Sequence, residues 1–101
     1  MLQVTWKDRD ATVWVEFEGE MDHQDVLSIR EEFLARIDEA EGNVVIVLGG
    51  VTFMASMGLG MLVAARKSLL DRGHALKLSG VPDSIHKILV ETNLVAAFEL
   101  I

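Results

Sequence analysis

The chain has no cysteine, a single proline (Pro82), and 9 basic residues against 16 acidic ones. Without cysteine there is no disulfide, no thiolate nucleophile and no cysteine-type zinc site, and a reducing compartment is compatible. The formal charge of −7 repels phosphate backbones and anionic lipid, so neither nucleic acid nor a membrane surface is expected as a partner. No apolar run approaches the roughly 18 residues of a spanning helix. The first twenty residues carry Lys7, Asp8, Arg9 and Asp10 where a signal peptide has its apolar core. A cytoplasmic protein is expected. Repeats, low-complexity tracts and Pro/Gly/Ser linkers are also missing, and half of the 101 residues are apolar. One globular domain over residues 1–101 follows.

Thr12 to Glu18 alternates, with Val13, Val15 and Phe17 on one face and Trp14 and Glu16 on the other, the period of a half-buried strand. A weaker strand, Leu2 to Trp6, precedes it across Lys7 to Asp10, which reads as a hairpin loop. A polar linker is expected from Gly19. From Gln24 to Ala40, Val26, Ile29, Phe33 and Ile37 recur every three or four residues, predicting an amphipathic helix. Val44 to Leu48 is five consecutive apolar residues bounded by glycines, which predicts a central parallel strand buried on both faces. Leu59, Leu62, Val63, Arg66, Leu69 and Leu70 trace a second helix ending at Gly73, Ala75 to Leu78 a strand, Asp83 to about Thr92 a third helix, and Ala96 to Leu100 a last strand. The expected fold class is α/β, order ββαβαβαβ, a mixed sheet with its helices packed largely on one side.

Chemical motifs are sparse. His23, His74 and His86 are far apart and lack metal-ligand spacing, so no metal and no cofactor is expected. Met54 stands where the first glycine of a nucleophile elbow belongs, and the Gly58 to Val63 segment lacks the third glycine of a dinucleotide fingerprint. Glu16, Glu18, Glu20, Asp22 and Asp25 read as a solvated acidic rim. Ser56 falls where the second helix begins, so its hydroxyl is expected to cap the amide of Gly58 or Leu59. Gly58 and Gly60 cost helix stability and are read as an approach surface beside first-turn amides suited to phosphate. Met57, Leu59 and Met61 are candidates for an exposed apolar patch there.

Taken together, Gly19-Glu20-Met21-Asp22-His23, Val51-Thr52-Phe53-Met54 followed by Ser56-x-Gly58-Leu59-Gly60, Leu78-Ser79-Gly80-Val81-Pro82, and Thr92-Asn93-Leu94 with Phe98 resemble the STAS-domain family in its bacterial anti-sigma factor antagonist form. The resemblance implies a STAS fold and a non-enzymatic, partner-switching regulator of transcription. In that form the segment Asp-Ser-Ser/Thr-Gly-Leu-Gly carries the phosphorylated serine, here matched by Ser56. The implied partners are an anti-sigma factor that is also a GHKL-type serine kinase, bound by the unphosphorylated protein, and a PP2C-type phosphatase that resets it. The matching partner-binding residues are Glu20, Asp22, His23, Met57, Gly58, Leu59, Gly60 and Met61. Ala55, Met57 and Val47 depart from the family pattern at the residues flanking the serine and at the end of the central strand. The two departures beside the serine, Ala55 and Met57, fit an alternative, a STAS accessory or scaffold subunit of a transporter or signalling complex that binds constitutively. A hydrolase using Ser56 is disfavoured by Met54 and by the absence of a histidine placed beside it.

Overall fold

The computed structural model describes residues 1–101. Asp10 and Ala11 both hold positive φ, 54° and 60°, as a two-residue primed turn requires. They join β1 (Gln3–Arg9) to β2 (Thr12–Met21) in an antiparallel hairpin with Arg9 opposite Thr12. Lys7 to Arg9 therefore lie in the strand and not in the expected loop, because a turn whose twist matches the strands needs only two residues. Ala11 sits where glycine is preferred. Left-handed backbone costs an L-residue about 1–2 kcal/mol, and glycine returns roughly 0.4–1 kcal/mol of that through unfolded-state entropy. Ala11→Gly should therefore stabilise the protein by about 0.5 kcal/mol, read as a rise of a few degrees in thermal unfolding.

The other elements are α1 (His23–Glu39), β3 (Val44–Met54), α2 (Ser56–Asp71), β4 (Leu76–Ser79), α3 (Asp83–Glu91) and β5 (Glu99–Leu100), in the expected order. The strands lie side by side as β1-β2-β3-β4-β5, antiparallel in the first pair and parallel thereafter. The three crossovers move in one direction across the sheet, and with the right-handed sense that such connections favour this puts every helix on one face. Phe33 of α1, Leu62 of α2 and Leu89 of α3 accordingly share one core with Phe17, Ile46 and Leu78.

The central strand departs from its expected form in two ways. Ile46 and Leu48 face the helices and are fully buried, but Val47 is half-buried, and Val45, 5% exposed, lies outside the helix-side core. No helix covers their face; Val45 is flanked across the strands by Trp14 and Lys77. The strand also runs on through Gly49 and Gly50 to Met54, and β2 through Gly19 to Met21, with two register shifts between them. Glycine makes those shifts possible: Gly19 has φ +106°, and a Cβ on Gly50 would come within 2.9 Å of the Glu18 side chain. Because β4 stops at Ser79 opposite Val47, the rest of β3 pairs with β2 alone and overhangs the sheet. At the far end β5 is shorter than expected. Asn93, at φ 63°, ends α3, the Ala97 amide bonds the Leu94 carbonyl (3.0 Å), and Phe98 rather than a longer strand anchors the chain in the core.

Candidate functional site

The β2–β3 overhang brings together the two segments that carry the sequence motifs. Met21 is opposite Met54, and the Ala55 amide donates to the Met21 carbonyl (2.9 Å), so the starts of α1 and α2 lie side by side. Asp22 is the N-cap of α1, its carboxylate accepting the Asp25 amide at 2.8 Å. Asp25 in turn accepts the Leu2 amide at 3.1 Å. These two carboxylates of the expected rim thus hold local structure, while Glu16, Glu18, Glu20 and His23 are exposed and form no ion pair.

The expected serine cap is not formed. Ala55 is the N-cap of α2, extended at φ −81° and ψ 165°, and Ser56 is the first helical residue. The bond from the Ala55 amide to Met21 fixes residue 55 as the end of the strand, which starts the helix one residue earlier than the cap reading requires. The Ala55 carbonyl accepts the amides of Gly58 (3.0 Å) and Leu59 (3.2 Å). The amides of Ser56 and Met57 donate to nothing, and the exposed Ser56 hydroxyl makes no hydrogen bond. The positive end of α2 therefore opens onto solvent beside a free hydroxyl. An aspartate at position 55 would accept the Met57 amide, two residues into the helix, and caps are worth about 0.5–2 kcal/mol. Ala55→Asp is expected to raise the stability by about 1 kcal/mol in denaturant unfolding, with an unchanged slope.

The two glycines of this turn have opposite duties. Gly58 is buried, and a Cβ there would meet the Met54 side chain at 3.2 Å and Met21 at 3.5 Å, so its smallness seats α2 on the two methionines. Gly60 is exposed with nothing within 4 Å of its would-be Cβ, leaving an open surface one turn after Ser56. Met57 and Leu59 are half-buried against the core, and Met61 is fully buried; the expected apolar patch therefore loses Met61 and is reduced to the edges of Met57 and Leu59. The exposed large apolar residue at this end is Phe53, 52% exposed and opposite Glu20. The expectation of a strand ending at Leu48, before the two glycines, leaves Phe53 out of the site. The run Val51-Thr52-Phe53-Met54, resuming apolar residues after the glycines, was the signal available.

Chemically, this surface offers the exposed Phe53 ring and the two unclaimed amides of α2. No buried polar side chain lies near it, and no histidine or carboxylate hydrogen-bonds Ser56 as a general base must. No three histidine, aspartate or glutamate side chains anywhere in the chain are grouped to hold a metal ion. No helix is long and apolar enough to cross a membrane.

The STAS domain family model matches residues 3–101. No curated protein matches the chain. Among solved structures, an anti-sigma factor antagonist from Mycobacterium paratuberculosis is similar with a TM-score of 0.87 at 22% identity, over 99% of this chain and 85% of that one. The phosphorylated form of the Bacillus cell fate determinant SpoIIAA is similar with a TM-score of 0.76 at 20% identity, over 100% and 91%. A sulfate transporter family protein from Wolinella succinogenes reaches 0.74 at 22% identity, over 88% and 72%. At these identities the likeness is one of fold.

Proposed function

Because the chain belongs to the STAS-domain family, we propose that it is a non-enzymatic partner switch of the anti-sigma factor antagonist type, with Ser56 as its phosphorylated residue. The observation that carries this reading is the exposed, unbonded hydroxyl of Ser56 beside the two unclaimed amides of α2. A phosphate placed there meets the positive helix end and causes the fold little strain. The docking face comprises Phe53, Met57 and Leu59 with the bare backbone at Gly60, and Glu20, Asp22 and His23 at its border. An acidic border of this kind draws a basic surface, here that of a GHKL-type serine kinase serving as anti-sigma factor; a PP2C-type phosphatase returns the protein to its binding form.

Ala55 and Met57 favour a second reading, a constitutively binding accessory or scaffold subunit, because they alter both neighbours of the serine. Co-expression with the serine kinase encoded nearest its own gene, followed by peptide mass mapping, separates the two. One phosphate on Ser56, absent from Ser56→Ala, is the expected result. A chain that binds that kinase yet gains no phosphate at Ser56 in the presence of ATP acts by constitutive binding.

A further inference from the structure

We propose that the free edge of β1 is a self-association surface, on which a second copy of this chain adds its own β1 antiparallel about Trp6 and continues the sheet across a two-fold axis. The two edges of the sheet are unequal: β5 is Glu99–Leu100 only, whereas β1 is seven residues long and pairs on one side with β2 without a register shift. In a two-residue hairpin the closing pair, Arg9 and Thr12, is hydrogen-bonded, and antiparallel strands alternate bonded and non-bonded pairs. Lys7, Thr5 and Gln3 therefore bond to β2, while Val4, Trp6 and Asp8 turn their N–H and C=O groups outward. No loop takes those groups up, and such an edge is a template for another strand.

Self-complementarity points to a second copy as the occupant. Trp6 is the middle residue of β1, so the register centred on it overlaps the whole strand. It sets Trp6 against Trp6, Val4 against Asp8, Thr5 against Lys7 and Gln3 against Arg9, with no like charges opposed. The three outward-facing pairs supply six hydrogen bonds. Beyond this edge lies an open groove between β1 and α1, lined by Val4, Trp6, Ile29, Glu32, Phe33 and Arg36. Arg36 lies over the Trp6 ring at 4.9 Å and has no ion-pair partner in its own chain. Asp8 of the second copy, arriving opposite Val4, brings a carboxylate to that groove. The contact is the same patch on both copies and closes as a dimer.

Sedimentation equilibrium of the full chain from micromolar to millimolar concentration tests this. The wild type should reach twice 11.2 kDa. Val4→Pro removes an outward N–H that the fold does not use, twice per dimer, and should weaken association about thirtyfold; Asp8→Lys, which sets a cation toward Arg36, should also weaken it. A wild type that stays monomeric throughout, or a dimer indifferent to both substitutions, overturns the proposal. Should Val4→Pro not fold, wild-type amide exchange decides: exchange at Val4, Trp6 and Asp8 that slows with rising concentration supports the edge pairing, and exchange independent of concentration refutes it.

Discussion

Ile46→Asp and Leu48→Asp are expected to unfold the protein, whereas Val47→Asp between them should leave it folded. Ile46 and Leu48 are fully buried beneath the helices with no buried polar side chain near them, so a carboxylate there has no partner. Leaving such a charge in an apolar core costs several kcal/mol, against a total stability of about 5–15 kcal/mol for a domain of this kind. Val47 lies on the face that no helix covers and is half-buried, so its carboxylate reaches water and the cost falls to about 1–2 kcal/mol. Circular dichroism with urea titration of the three variants reads the difference directly. A Val47→Asp protein as unfolded as Ile46→Asp contradicts a sheet covered on one face.

Phosphorylation of Ser56 is expected to weaken docking of the kinase-type partner at least a hundredfold without loosening the fold. The modification adds about −1.5 to −2 charges to a chain at −7, at a face bordered by the unpaired carboxylate of Glu20. In the free protein, the amides of Ser56 and Met57 and the α2 dipole offset part of that charge, typically by 0.3–1 kcal/mol. In the complex the dianion must be desolvated or held against the partner, and a loss of about 2.7 kcal/mol already corresponds to a hundredfold change in Kd. Titration calorimetry of the phosphorylated and unphosphorylated proteins measures the ratio, and thermal unfolding of the two checks the fold. Equal affinities remove Ser56 as the switch.

Periodicity made the order of elements, the central place of β3 and the inward faces of α1 and α3 legible, because alternation and the 3.6-residue stripe arise from burial of one face; on α2, apolar on most sides, it placed Leu62 and Leu69 inside but not Met61 and Ala65, and Val63 and Leu70 are exposed. Val26, Phe33 and Ile37 on α1 and Val15 and Phe17 on β2 are inside for that reason. The motif around Ser56 was legible as residue types at fixed spacing. Its geometry was not. Whether position 55 or 56 caps α2 depends on the bond from the Ala55 amide to Met21, a contact between residues 34 positions apart. The division of labour between Gly58 and Gly60 depends on which side Met21 and Met54 occupy, and two adjacent glycines read as punctuation until the register shows that β3 passes through them. Local sequence determined which segments are strand or helix and which of their faces is apolar; tertiary structure decided where each segment stops and what lies exposed. Those decisions rest on strand register and on the one-sided layering of the helices, which are set by contacts between segments distant in the chain.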